Sequence, residues 1–169
     1  EKIREKLNLP GGTELKLEVG NNGMKIKRAD PNLTRVYIEP TTDCNLDCEM
    51  CLRQAWDENI GNMNYDTYQK LINDLKDFDY IERISFWGIG EPLCHKDIVK
   101  MVREAKKLNI ETQIITNGLL LDDDLSKKLL EADLDSLVVS IDGTSPETMS
   151  NIRSGAELAK IIKNVKRFN

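Results

Sequence analysis

Apolar residues recur along the chain in short runs with two different spacings. Four compact runs of apolar and β-branched residues predict strands, at Arg35–Glu39, Arg83–Trp87, Thr112–Thr116 and Leu137–Ile141. Between and after these runs, apolar residues recur at intervals of three and four, which is typical of helices with one buried face. Four strands that alternate with helices predict βαβ units, an α/β fold and a parallel sheet. Right-handed crossovers can roll such a sheet into a barrel or part of one.

The helices that this pattern predicts begin at recognisable caps. Asn64, Asp122 and Ser145 are expected N-caps, and Pro146 suits the first helical position. The expected inward positions are Tyr65, Tyr68, Leu71, Ile72 and Leu75 in the first helix, Ile98, Met101, Val102, Ala105 and Leu108 in the second, Leu125, Leu129 and Leu130 in the third, and Leu158, Ile161, Ile162, Val165 and Phe168 in the last.

The start of the chain carries a different pattern. Alternate residues of Leu15–Val19 and of Met24–Ile26 are apolar, and Gly20-Asn21-Asn22-Gly23 between them is typical of a tight turn. We therefore predict an N-terminal β-hairpin appendage over residues 1–34 and a main domain over residues 35–169. The last helical pattern runs to the end of the sequence, so we expect a main domain truncated at its C-terminus.

Composition narrows the class of protein. The 169 residues are 40% hydrophobic and 31% charged, which is typical of a globular domain and excludes a membrane-spanning protein. The net charge is −5 and basic residues form no continuous stripe, so we expect neither nucleic acid nor membrane as a partner. Four cysteines without an apolar signal segment at the start predict a reducing, cytoplasmic location.

Three of the four cysteines fall in one short segment, the cysteine loop Asp43–Cys51, with the spacing C-x3-C-x2-C. We call Cys44, Cys48 and Cys51 the loop cysteines. Thiolates select soft metals and iron–sulfur clusters. A four-iron cluster on three thiolates would keep one iron open for a ligand other than protein, which indicates a reactive site.

Three other interpretations of the cysteines stay open. A disulfide with a spare thiol is disfavoured by a reducing compartment. A zinc-stabilised binding module needs a fourth ligand, for which Cys94 and His95 are the candidates. A non-catalytic iron–sulfur electron carrier would normally close its cluster with a fourth cysteine.

Small and polar residues follow the other three predicted strands, at Gly88–Pro92, Thr116–Gly118 and Ser140–Gly143. The carboxyl ends of parallel strands meet at one edge of a sheet, and this edge is where ligands bind in such folds. Singly, each segment is also explained by ordinary turn chemistry, including a positive φ at the glycines. Together with the cysteine loop, they predict a binding rim.

The motifs and their order resemble those of the radical S-adenosylmethionine (SAM) enzyme superfamily. Cys44-x3-Cys48-x2-Cys51, Gly90-Glu91-Pro92 and Ser140-Ile141-Asp142-Gly143 follow the first, second and fourth strands. The resemblance runs from about Arg35 to Arg153. It implies a partial (βα)6 TIM-like barrel, of which about four βα units are present.

The resemblance also implies the cofactors and the chemistry. A [4Fe–4S] cluster on the loop cysteines would bind SAM at its open iron. Reductive cleavage of SAM would then give a 5′-deoxyadenosyl radical that abstracts hydrogen from a substrate. This implied chemistry makes the chain an enzyme of the oxidoreductase or maturase type.

Individual positions take roles from the same resemblance. Gly90 and Glu91 would meet the methionine amino group of SAM, Ser140 and Arg153 its carboxylate, and Thr116 and Asn117 the ribose side, while Met50, Gly88 and Asp142 complete the implied cofactor-binding set. The sequence departs from the family at two places. Met50 replaces a usually aromatic residue close to adenine, and Ile89 stands where many members have glycine.

The segments Tyr37–Cys44 and Leu52–Trp56 resemble the maturase branch of the superfamily, and within it the proteins that modify the tungsten cofactor of aldehyde ferredoxin oxidoreductases. This implies a peptide, protein or cofactor precursor as substrate and a ferredoxin or flavodoxin as reductant. With four of six barrel strands, the last strand would have an unpaired edge, so we expect self-association of this chain.

Overall fold

The computed structural model describes residues 15–20, 23–28, 34–55, 57, 59–78 and 80–168. They fall into two compact units, with the boundary before Thr34. The first unit contains strands β1 (Leu15–Gly20) and β2 (Gly23–Arg28), which pair antiparallel with Leu17 opposite Ile26. These strands agree with the predicted hairpin pattern, and its turn residues Asn21 and Asn22 lie outside the described residues.

The second unit alternates strands and helices. Its strands are β3 (Arg35–Ile38), β4 (Arg83–Phe86), β5 (Glu111–Thr116) and β6 (Ser136–Val139), and its α-helices are α1 (Tyr65–Asp74), α2 (Ile98–Lys106), α3 (Asp123–Leu130), α4 (Pro146–Ile152) and α5 (Leu158–Phe168). Short 3₁₀ helices at Leu52–Ala55, Leu75–Asp77 and Pro92–Cys94 complete the described elements. No helix among the described residues is long and apolar enough to cross a membrane.

The four strands of the second unit form one parallel sheet in the order β3-β4-β5-β6. The predicted α/β fold with a parallel sheet is therefore confirmed. Three strands end earlier than predicted, at Ile38, Phe86 and Val139, so that predicted strand residues such as Ile141 lie in the loops beyond. All four carboxyl ends lie at the same edge of the sheet.

The predicted caps start three of the helices. The side chains of Asn64, Asp122 and Ser145 accept hydrogen bonds from the backbone N–H groups of Asp66, Leu125 and Thr148. Each cap satisfies one of the N–H groups that the first helical turn leaves without a partner. The local sequence therefore determines where α1, α3 and α4 begin.

The core lies between one face of the sheet and the helices. Its largest fully buried residues include Ile84, Phe86 and Ile114 from the strands and Tyr68, Met101, Leu129 and Ile161 from the helices. Two predicted inward positions were wrong, because Leu130 is 50% and Ile162 40% exposed. Consecutive helical residues point about 100° apart, so the neighbours Leu129 and Ile161 take the inward positions.

The opposite face of the sheet is polar and aromatic. Ser85 donates to Gln113 Oε1 at 3.3 Å, and Gln113 Nε2 donates to Ser136 Oγ at 3.2 Å. Nearer the carboxyl edge, the rings of Tyr37 and Trp87 meet edge to face at 5.8 Å. This face leads up to the strand ends where the predicted site lies.

Candidate functional site

A cavity of about 430 Å³ lies at the carboxyl ends of the four parallel strands. Of the predicted site residues, it is lined by Cys44, Cys48, Met50, Cys51, Gly88, Gly90, Glu91, Thr116, Asn117, Ser140 and Arg153. Asp142 is the one predicted residue that does not line it. The fold therefore brings segments from both ends of the second unit, as far apart in sequence as Cys44 and Arg153, to one place.

The cysteine loop is fixed by a buried residue in the core and by hydrogen bonds from the 3₁₀ helix that follows it. Leu46 is buried and belongs to a cluster with Met149 and Ile161. The 3₁₀ helix after the loop folds back on it, where Arg53 Nη2 donates to Leu46 O at 2.7 Å and Gln54 Nε2 to Cys48 O at 3.2 Å. These contacts hold the loop backbone in one conformation, which is what a set of metal ligands requires.

The thiols of the loop cysteines are free and half-buried. Burial raises the pKa of Cys44, and the backbone N–H of Leu46 partly offsets this effect. Burial also raises the pKa of Cys48, and the positive charge of Arg153 partly offsets it. Three accessible sulfur donors on one anchored loop are a chemically suitable set for an iron–sulfur cluster.

The same cysteines do not form a site for a single ion. Among the described residues, no three His, Cys, Asp or Glu side chains converge where they could hold one metal ion. Zinc would need such a convergence of four ligands. An iron–sulfur cluster does not, because each thiolate binds a different iron.

The two candidates for a fourth zinc ligand are engaged elsewhere. His95 is buried, its Nε2 lies 3.0 Å from Met63 O, and its Nδ1 accepts from the backbone N–H of Asp97. Cys94 lies near Asn45, and burial raises the pKa of its thiol to about 11. His95 is therefore not free to bind a metal while both of its ring nitrogens are engaged in these contacts.

We call Gly88–Gly90, which follows β4, the glycine loop. A Cβ at Gly90 would lie 2.1 Å from Thr41 O, and the neighbouring Glu91 N–H donates to Asp43 O at 2.7 Å. Glycine is needed here because two backbones pack against each other. A positive φ is not the reason, since the described glycines with positive φ are elsewhere, for example Gly118.

Glu91 is a buried carboxylate, 3% exposed, at the junction of two strand ends. Its Oε1 accepts from Leu93 N–H at 3.1 Å and from Thr116 Oγ1 at 2.7 Å, and its Oε2 accepts from Asn117 N–H at 2.8 Å. Burial raises the pKa of Glu91, and these donors only partly offset the increase. Glu91 thus ties the loops after β4 and β5 together as well as facing the cavity.

Asn117 makes a similar connection to the cysteine loop. Its Nδ2 donates to Asn45 Oδ1 at 2.8 Å, and its Oδ1 accepts from Leu119 N–H at 3.0 Å. Thr116 Oγ1 both donates to Glu91 and accepts from Gly118 N–H. The two residues expected on the ribose side therefore already form a hydrogen-bonded network that connects three strand ends.

Arg153 follows α4 directly and lines the cavity. Its side chain is 17% exposed, and its Nε donates to Asp142 Oδ2. A mostly buried guanidinium argues against a solvated surface role. Asp142, which we predicted in the cofactor-binding set, does not line the cavity and is placed to orient Arg153.

Sequence reasoning missed several cavity-lining residues, including Glu39, Leu46, Trp87, Ile89 and Ile115. A signal existed for Trp87 and Ile115, because they alternate with the core residues Phe86 and Ile114 and so must face away from the helices. Glu39 and Leu46 gave no comparable local signal.

Comparison with known proteins defines the class. Residues 38–169 match the Radical SAM superfamily, and the chain belongs to this superfamily. The family that the motifs predicted is confirmed. It implies SAM and an iron–sulfur cluster as the cofactors.

The comparison also identifies particular relatives. The chain is 40% identical over 135 residues to the tungsten-containing aldehyde ferredoxin oxidoreductase cofactor-modifying protein of Pyrococcus furiosus, covering 78% of this chain and 38% of that protein. It is 32% identical over 133 residues to a probable GTP 3′,8-cyclase of Methanocaldococcus jannaschii, covering 77% of this chain and 43% of that protein. The chain thus spans about two fifths of these relatives, whose names are those of enzymes.

Solved structures share the fold. SuiB of Streptococcus suis, bound to its precursor peptide SuiA, matches 83% of this chain and 31% of its own with a TM-score of 0.69 and 23% identity. SuiB bound to SAM gives the same TM-score over 81% of this chain and 32% of its own, with 22% identity. The predicted TIM-like architecture and the similarity to tungsten-cofactor-modifying proteins are both confirmed.

Proposed function

We propose that this chain is part of a radical SAM enzyme in which the loop cysteines hold a [4Fe–4S] cluster and SAM occupies the adjoining cavity. When bound, the cluster supplies the electron that cleaves SAM to methionine and a 5′-deoxyadenosyl radical, which abstracts hydrogen from the substrate. One observation carries the proposal: the three thiols and all four strand ends line a single cavity of about 430 Å³. This volume is typical of small-molecule sites.

The residues of the cavity suit the charged groups of SAM. Asp142 bonds Nε of Arg153, and no described residue bonds its Nη groups, which leaves them for a carboxylate. Ser140 adds a hydroxyl to the lining of the same cavity. Glu91 Oε2 has a single described donor, Asn117 N–H, so it retains a lone pair for an ammonium group.

Other residues would shape the rest of the pocket. Thr116 and Asn117 line the wall expected to meet the ribose. Met50 is exposed at the cavity rim, where its flexible thioether can pack against adenine. Gly88 and Gly90 allow the glycine loop to approach its neighbours.

The substrate belongs to the same proposal. We infer maturation of a cofactor or a peptide, which the name of the Pyrococcus furiosus relative and the shared fold of SuiB support. A ferredoxin or flavodoxin in the cytoplasm would supply the electron.

Anaerobic reconstitution tests the proposal. We expect about four irons and four sulfides per chain and a change in the electron paramagnetic resonance spectrum of the reduced cluster on addition of SAM. A cluster that SAM does not perturb would favour an electron carrier. Stoichiometric zinc in place of iron would favour the binding module.

A further inference from the structure

Glu39, the first residue after β3, lies between two strand ends and lines the cavity. Its Oε1 accepts a hydrogen bond from the backbone N–H of Ile89 and another, at 3.4 Å, from that of Gly90. Gly88 lies directly against the same side chain. A Cβ at Gly88 would be 2.2 Å from Glu39 Oε1 and 2.4 Å from its Cγ and Cδ. The carboxylate thus fits into the glycine loop, and Gly88 leaves the room for it.

Almost all backbone N–H groups of the glycine loop and of the residues on either side of it donate hydrogen bonds to β3 or to the segment after β3. Trp87 N–H donates to Ile38 O at 3.0 Å, and Glu91 N–H donates to Asp43 O at 2.7 Å. With the two bonds to Glu39, four of the five N–H groups of residues 87–91 are bound to β3 or to the segment after it.

The backbone carbonyl oxygens of the glycine loop differ from its N–H groups in this respect. No donor among the described residues bonds the carbonyl oxygens of Gly88, Ile89 or Gly90. Backbone carbonyls beside a cavity need partners from water or a ligand. A loop with occupied donors and free acceptors is complementary to a ligand group that carries N–H bonds and a positive charge.

We propose that Glu39 is a positioning residue that determines which backbone groups of the glycine loop are left free for a ligand. By holding the N–H groups of Ile89 and Gly90, it leaves the loop carbonyls to receive an ammonium group. A carboxylate or phosphate in that place would meet only acceptors. The inference rests on the proposed function, in which the ammonium group is the amino group of SAM.

Two substitutions of Glu39 distinguish a positioning role from a direct effect of its negative charge on the ligand. In Glu39→Gln the side-chain carbonyl can still accept both N–H bonds, whereas Glu39→Ala removes the acceptor. Glu82→Ala is the matched control, because Glu82 is an exposed glutamate at the opposite end of β4. Hydrogen exchange of the Ile89 and Gly90 amides is measured on the protein without cofactors, and the SAM dissociation constant on the reconstituted protein.

We expect Glu39→Ala to raise the exchange rate of both amides by about tenfold and to weaken SAM binding by about three- to tenfold, the range for one or two lost hydrogen bonds. Glu39→Gln should stay within about twofold of wild type in both measurements, as should Glu82→Ala. Equal loss of SAM affinity in the Gln and Ala variants would overturn the inference, because charge alone would then matter. Unchanged exchange in Glu39→Ala would overturn it too.

Gly88→Ala provides a second route to the same perturbation. The added methyl group must displace the Glu39 carboxylate from the loop, since the two would overlap. The exchange rates of Gly88→Ala should match those of Glu39→Ala, and the double variant should be no worse than either. Additive effects would refute the shared cause. If wild type failed to bind SAM, the proposed function would fail, while the exchange data would still decide the positioning role.

Discussion

Replacing Glu91 by Gln tests whether this carboxylate supports the fold of the site. Glutamine has nearly the same shape but offers one oxygen and one NH2 group in place of two oxygens. The three donors that face Glu91 are Leu93 N–H, Thr116 Oγ1–H and Asn117 N–H, at 2.7–3.1 Å. In one amide orientation the NH2 group faces Asn117 N–H, and in the other it faces Leu93 N–H. Either way, one backbone donor in a buried place loses its acceptor.

The expected loss of stability follows from the number of buried donors that lose their acceptor. A buried donor left without an acceptor costs about 1–3 kcal/mol. Thr116 can rotate its hydroxyl and limit the loss, and removal of a buried charge offsets part of it. We therefore expect Glu91→Gln to lower the free energy of unfolding by about 1–3 kcal/mol. Glu91→Ala removes all three bonds and leaves a small void, so its loss should exceed that of the Gln variant.

Urea unfolding followed by circular dichroism, without cluster or SAM, measures the effect. Glu49→Gln is the control, because Glu49 is an exposed glutamate in the cysteine loop. The reasoning would be refuted by a Glu91→Gln protein that unfolds at the wild-type urea concentration. If that stable variant also failed to bind SAM, Glu91 would act on the ligand and not on the fold.

Four further predictions concern other parts of the chain. Replacing any one loop cysteine by Ala should abolish iron binding after reconstitution, whereas Cys94→Ala should keep the wild-type iron and sulfide content. Arg153→Ala should raise the SAM dissociation constant about ten- to a hundredfold, because a charge-assisted contact is lost, with little change in melting temperature. Partial burial raises the pKa of Asp135, but hydrogen bonds from Lys106 and Thr112 lower it by more, so the folded state binds its proton less tightly than the unfolded state. Asp135→Asn should therefore lose about 1 kcal/mol of stability at pH 7, and the difference from wild type should fade as the pH falls below about 4. Sedimentation should show concentration-dependent association, because among the described strands β6 pairs with β5 alone and lies at an edge of the sheet.

Each of these predictions has a contradicting outcome. Loss of iron in Cys94→Ala would mean that a fourth cysteine ligates the cluster. An Arg153→Ala protein that melts early yet binds SAM normally would make Arg153 structural. A stability difference in Asp135→Asn that does not shrink as the pH falls through the lowered pKa of Asp135 would exclude the proposed titration. A monomer at all concentrations would exclude association through the edge.

Much of the fold is encoded in short segments of the sequence. The caps Asn64, Asp122 and Ser145 bond to N–H groups two or three residues away, so a local pattern identifies them. Period-two and period-three-to-four spacings likewise distinguish strands from helices without tertiary information. The spacing of the loop cysteines and the short motifs after the strands indicated both the family and the edge of the sheet at which the cavity lies.

Pairings between distant residues were decided only by the tertiary structure. Glu39 bonds the glycine loop 50 residues away, Glu91 bonds Asn117 across 26 residues, and Asn117 bonds Asn45 across 72. No local pattern encodes such partners, because they depend on sheet order and register together. The same reason explains why the inward positions predicted for Leu130 and Ile162 were wrong. Both residues are apolar, but their neighbours Leu129 and Ile161 occupy the core positions. The sequence by itself determined the strands and helices and the chemistry at the strand ends. The folded sheet decided which polar groups became partners there, because only strand pairing brings those ends within hydrogen-bonding distance.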